Sequence, residues 1–170
     1  SAVAILVCAA LVGGIAGTSF YTKRHFKEDI VTGPNVTEVF KLSRYNPNLE
    51  GTIGDSDVYV LKGEKEGGSL VVLGSTHANE PSGHMAGIIL EENAKVEAGT
   101  IYVIPNINNS ALTHNDPLDG SPQYMHFTTK NGETRTFQYG SRATNPIDQW
   151  PDPDIYTHKS SGQTLSGSET

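Results

Sequence analysis

The chain has 170 residues, 36% of them hydrophobic, which is enough for one domain with a core of its own. Its formal net charge of −7, with no basic run beyond Lys23-Arg24, argues against nucleic acid as a partner, because phosphate backbones are held by basic faces. The single cysteine, Cys8, excludes an intrachain disulfide and any cysteine-built metal site.

Ala2 to Tyr21 contains no charged residue and is dominated by Ala, Val, Ile, Leu and Gly, a length and composition sufficient to cross a bilayer as a helix. Three readings compete: a membrane anchor, the apolar part of an export signal, and a buried core helix. Phe20-Tyr21 followed by Lys23, Arg24 and Lys27 forms an interfacial border that favours the membrane readings. The expectation is a transmembrane or signal-anchor helix over residues 1–22, continuous from Ala2 to Phe20 and apolar all round. A linker follows over residues 23–50, and the rest of the protein is membrane-anchored and extracytoplasmic. Within the linker, Val36 to Leu42 alternates weakly, as an edge strand does.

Asp57 to Lys62 reads as a strand closed by Gly63, and Leu70 to Gly74 as a buried strand, the two expected to pair. Ser75 to Ser82 is a polar turn. Pro81 and Ser82 then open a helix whose Met85, Ile88 and Ile89, with Ala86 and Leu90, recur at helical spacing. Thr100 to Ile104 is the next strand, so the fold class is α/β, a mixed β-sheet with a β-α-β crossover, preceded by the apolar helix. From residue 105 the chain is read as long loops, relieved by a hairpin of Phe127 to Thr129 and Arg135 to Tyr139 around Asn131-Gly132.

His77 and Glu80 fall where the second of these strands passes into the helix, the sheet edge at which open α/β folds place ligands. An imidazole and a carboxylate three residues apart across such a turn can reach one metal ion. The alternative is a surface histidine beside a glutamate favoured by the helix dipole. Asn106 and Asn108 follow the next strand and either line the same site or are turn residues bonded to their own backbone. Arg142, in a Gly/Ser turn, is suited to holding a substrate carboxylate, with a surface ion pair as its alternative. His114, His126 and His158 are the possible third metal ligands, though each lies in a polar, turn-like setting where a solvent-exposed histidine is the commoner outcome, and His84 reads as packed or capping. Asp148, Asp152 and Asp154, around Trp150, read as a solvated loop.

The string G-S-T-H-A-N-E-P-S-G from Gly74 to Gly83, between an apolar strand and an amphipathic helix, resembles the zinc-binding segment of the succinylglutamate desuccinylase/aspartoacylase family, relatives of the zinc carboxypeptidases. The family segment reads G-x-H-G-N-E-x-x-G, with Ala78 here in place of the usual glycine. The likeness covers the N-terminal portion only, roughly Asp57 to Ala111. It implies a zinc-dependent hydrolase of amide or ester bonds, of deacylase or carboxypeptidase type, with His77 and Glu80 as zinc ligands. It also implies a small N-acyl amino acid or a peptide with a free carboxylate as substrate. The family's second zinc histidine, its catalytic glutamate and its Asn-Arg pair have no assignable counterpart here. The expectation is therefore an incomplete site, finished by a second chain or by residues beyond Thr170. The competing expectation is a non-catalytic, membrane-anchored structural or interaction subunit that keeps half of the hydrolase scaffold.

Overall fold

A computed structural model describes residues 2–115 and 120–148, together with the backbone of residues 155–157 and 164–166. Helix α1 runs over Ala2–His25, 24 residues, with none of its apolar window buried. Val3, Leu6 and Ile15 are each about 70% exposed, so no face of this helix belongs against the rest of the chain. It is long and apolar enough to span a membrane or to serve as a signal sequence. The helix passes the expected boundary at residue 22, because its last turn is basic, which suits the negative helix end, and because that turn is docked. Lys23 is 2% exposed. Its Nζ donates to the carbonyls of Gln123, at 2.6 Å, and Tyr139, at 2.5 Å. Arg24 forks onto Asp148. Of the five residues read as an interfacial border, Lys23 and Arg24 thus bind the globular part, while Phe20, Tyr21 and Lys27 stay exposed.

The segment read as a linker contributes strand β1, Val36–Lys41, at one edge of a four-stranded sheet. The other strands are β2 (Asp57–Lys62), β3 (Lys65–Leu73) and β4 (Ala98–Ile104), and the order is β1-β2-β4-β3. β2 is antiparallel to both of its neighbours, while β3 and β4 run parallel, joined by helix α2 over Pro81–Asn93. The expected pairing of β2 with β3 is corrected by this order: β4 lies between them. The chain from Gly63 to Gly67 crosses the start of β4 instead of turning back as a hairpin. Gly63 N–H bonds the Gly99 carbonyl at 2.8 Å and Lys65 N–H the Glu97 carbonyl at 3.2 Å. A Cβ on Gly63 would stand 2.6 Å from Ala98 N, and Gly99 holds a φ of +78°. Only glycine permits that backbone crossing.

One sheet face packs Tyr59, Leu61 and Val103 with Val72 and with Leu90 of α2, and the other packs Phe40, Val58, Val60 and Ile104 with Leu42 and Ile107. β3 is not the buried strand expected from its composition. Leu70, Val71 and Leu73 remain 52–58% exposed, because β3 has one partner strand and α2 shields mainly Val72. On α2 the fully covered positions are His84, Gly87, Ile88 and Glu91, an i, i+3, i+4, i+7 stripe that is half polar. Of the residues expected to face inward, Ile88 does so, whereas Ile89 is 47% exposed.

Beyond β4 the chain is more ordered than a run of loops. Asn109–Thr113 forms a buried 3-10 turn, and β5 (Tyr124–Thr128) pairs antiparallel with β6 (Thr134–Gln138) about Gly132, at φ +84°. A further two-stranded ladder joins β7 (Ile155–Thr157) and β8 (Thr164–Ser166). Trp150, Asp152, Asp154 and His158 lie outside the described residues.

Candidate functional site

The loop between β3 and α2 begins at Gly74, whose hypothetical Cβ would meet the Pro105 carbonyl at 2.5 Å. Ser75 follows at a φ of +54°, a left-handed conformation that a residue with a Cβ adopts at a cost of order 1 kcal/mol and that clusters at functional loops. Ser75 is buried, and its hydroxyl has no partner among the described residues. Ala78 is clamped from outside the loop: its N–H reaches the Ser141 carbonyl at 3.1 Å, and its carbonyl accepts from Gly140 N–H at 2.9 Å. Ser141 N–H in turn bonds the Ala111 carbonyl at 3.0 Å. The strand-to-helix loop, the turn after β4 and the segment after β6 are thereby fixed to one another.

That clamp sets the side chains. His77 Nδ1 lies 3.1 Å from Glu80 Oε1, with the imidazole 35% and the carboxylate 59% exposed. Glu80 occupies the N-cap position of α2 but makes no side-chain cap bond, so its carboxylate faces His77 instead of the helix amides. The Ser141 carbonyl bond carries Arg142 to the same place, its Nη1 3.3 Å from Glu80 Oε1. Asn108 is the fourth member: its Nδ2 donates to the Thr76 carbonyl at 3.4 Å, and its Oδ1 accepts from Ala111 N–H at 3.2 Å. It therefore braces the loop as well as capping its own turn.

Asn106 is elsewhere. Its carbonyl accepts from Ser56 Oγ at 2.6 Å and it lines a separate cavity with Lys41 and Tyr59, away from His77. His126 bonds Thr136 Oγ1 on the exposed hairpin, and His84 is buried with its Nε2 2.5 Å from Glu28 Oε1. Among the described residues no group of three His, Cys, Asp or Glu side chains could hold a metal ion. Asp148 is not a solvated loop residue. It accepts from Arg24 and, at 2.5 Å, from Ser110 Oγ, and the Arg24 hydrogen bond holds its carboxyl below the usual range.

Two buried acids escaped the sequence reading. Glu28 accepts from both His84 and Gln138 N–H, yet it lies in a stretch with no periodicity to mark it. Glu91 accepts from Gly33 N–H at 3.3 Å, and burial pushes its carboxyl up to about 7. Its place on the i+7 position of the α2 stripe was the available signal, masked by its charge. Compared with the models of known families, with curated proteins and with solved structures, the chain matches none.

Proposed function

We propose that the chain carries part of a zinc-dependent hydrolase site, for amide or ester bonds, of the deacylase or carboxypeptidase type to which its Gly74 to Gly83 string is similar. The observation that supports this reading is the 3.1 Å approach of His77 Nδ1 to Glu80 Oε1 at a strand's carboxyl end. In tetrahedral zinc sites neighbouring N and O donors stand about 3.3 Å apart, so the pair needs only a small adjustment to share an ion. Zinc bound there would supply an activated water and a polarised carbonyl. Arg142, 67% exposed and beside Glu80, suits a substrate carboxylate, and a bidentate pair with it would orient an N-acyl amino acid or a peptide end. Asn108 and the backbone clamp on Ala78 keep His77 and Glu80 in register. Two ligands do not complete such a site, and the third ligand and the proton-transfer group would come from outside the described residues. In this reading α1 is a retained anchor and the site faces outside the cytoplasm.

The Glu80–Arg142 contact also favours a second reading, in which the same residues form a structural ion-pair cluster of a non-catalytic subunit. Zinc titration of the full chain in detergent decides between them. On the first reading, the chain alone binds zinc weakly, through His77 and Glu80 with solvent, and this binding, read against a weak chromogenic chelator, is lost in His77→Ala and in Glu80→Gln with unchanged circular dichroism. Zinc binding that is the same in the wild type and in both variants would refute it.

A further inference from the structure

A carboxylate grips arginine best when both of its oxygens meet two parallel N–H donors of the guanidinium fork. Glu80 and Arg142 do not meet in that way. Glu80 Oε1 has two partners, His77 Nδ1 at 3.1 Å and Arg142 Nη1 at 3.3 Å. Both contacts draw on the one oxygen, which therefore serves Arg142 less well the more fully it is committed to His77. The Arg142 side chain is 67% exposed and that of Glu80 59%, and an ion pair so long, so open to water and made through a single donor is of the weak kind.

What holds the pair is backbone. Glu80 N–H bonds the His77 carbonyl at 3.0 Å, and Pro81 starts α2 directly after it. Next to Arg142, the Ser141 carbonyl accepts from Ala78 N–H at 3.1 Å and Ser141 N–H bonds the Ala111 carbonyl at 3.0 Å, while Gly140 N–H bonds the Ala78 carbonyl at 2.9 Å. These bonds fix where the two side chains are rooted and leave the long, exposed side chains themselves free to part. Arg142 is thus faced with a carboxylate from its own chain, at the high effective concentration of a tethered group. Glu80 also shows which ligand chemistry the guanidinium accepts.

We propose that Glu80 is a built-in competitor at Arg142: it occupies the guanidinium that the carboxylate of a ligand would take, and Arg142 opens to that ligand as Glu80 is drawn to His77. The competition involves the chain's own residues alone. In the hydrolase reading, on which this further step rests, commitment of His77 and Glu80 to zinc would take the carboxylate away from Arg142. A guanidinium beside a dication on one oxygen is repelled by far more than a weak ion pair gains. Binding free energies are linked, so a carboxylate on Arg142 tightens zinc by the same factor by which zinc tightens the carboxylate. Arg142 then favours a carboxylate ligand at a site whose Glu80 is already committed.

The test uses the full chain in detergent with N-acetylglycine as the probe, followed by NMR on the amides of residues 77–80 and 140–142 in metal-free buffer. Glu80→Gln should bind the probe about two- to fivefold more tightly than the wild type, the worth of an exposed ion pair, and Arg142→Gln should not bind it. Glu80→Asp keeps the charge but draws it back by one methylene, so competition by contact predicts tightening there too, whereas a general effect of charge predicts none. Zinc affinity, read against a weak chromogenic chelator, should rise by the same factor with saturating N-acetylglycine in the wild type and not in Arg142→Gln. Three results overturn the proposal whatever zinc does: unchanged probe affinity in Glu80→Gln, tightening in Glu80→Gln that Glu80→Asp does not share, or no binding to either the wild type or Glu80→Gln. Zinc binding that is identical in the wild type, His77→Ala and Glu80→Gln refutes the hydrolase reading and removes only the coupling, since the competition at Arg142 is decided by the metal-free titrations. A rise in zinc affinity that persists in Arg142→Gln overturns the coupling, because the probe then meets the metal directly. Glu80 and Arg142 are exposed side chains, so these variants should fold as the wild type does.

Discussion

Glu91 on α2 is fully buried, its Oε2 accepting one N–H from Gly33 while its Oε1 has no partner among the described residues. Burial is the main cause of its rise from 4.5 to about 7, with neighbouring Glu92 adding to it and the Gly33 bond and Arg135 opposing it. A raised carboxyl means that the native state holds a proton the unfolded chain has released. Stability from the protonated form is therefore complete below about 4.5 and is lost as pH rises through 7. At 1.36 kcal/mol per pH unit the loss approaches about 3 kcal/mol, flattening above about pH 8. Glu91→Gln keeps an oxygen for Gly33 and removes the charge, so the variant should equal the wild type near pH 4.5 and exceed it by about 2–3 kcal/mol at pH 8. Urea unfolding of both full chains in detergent, followed by near-ultraviolet circular dichroism across that range, gives the difference directly, and other titrating groups cancel in the comparison. Parallel stability profiles for the two proteins between pH 5 and 8 would refute the reasoning.

Asp148→Asn should cost about 1–3 kcal/mol by leaving Arg24 without its charged partner. Because the carboxyl is held below its usual range, this contribution is present at neutral pH and lost as pH falls below about 4. A double-mutant cycle with Arg24→Gln measures the coupling. Gly140→Ala places a Cβ 2.2 Å from the Ala111 carbonyl, so the thermal midpoint should drop with a loss of about 1–3 kcal/mol, and His77 and Glu80 should lose their common orientation. Val71→Lys, at a position 58% exposed on β3, should leave unfolding unchanged within about 0.5 kcal/mol and reduce self-association, read by light scattering.

The elements legible in the sequence were those with their own local signal. Asp57 to Lys62 shows the apolar run and closing glycine of a strand, Pro81 the opening of a helix, and Asn131-Gly132 a hairpin turn, and each stands in the structure within a few residues of its expected place. Pairing was not legible, because Gly63 and Gly67 carry the same turn signature whether the chain reverses or crosses another strand. What decides is the close approach to Ala98 and Gly99, more than thirty positions away. The burial of β3 was misread for a related reason. Composition reports what a strand can bury, whereas exposure depends on how many neighbours the topology gives it.

The candidate site divides along the same line. His77 and Glu80 were readable as a pair because one turn holds both. Arg142 joins them through backbone bonds among Ala78, Gly140, Ser141 and Ala111, and Asn108 through its bond to the Thr76 carbonyl; these are small or polar residues, and at Gly140 nothing larger fits. Small residues leave no trace in hydrophobic periodicity, and so the convergence of three distant segments on one loop is invisible until they are folded. The buried polar partners hide similarly. Glu28 and Glu91 look like surface residues by type, and each sits inside only because a hydrogen bond from another part of the chain compensates it, whereas His84, expected to be packed or capping, is buried. For a domain whose helix α1 buries only Lys23 and whose β3 is half exposed, these long-range polar bonds carry a larger share of the specification than its core. Substitutions at Gly140, Glu28 or Asp148 should accordingly perturb the site more than most losses of a methyl group from Val58 or Leu61 would.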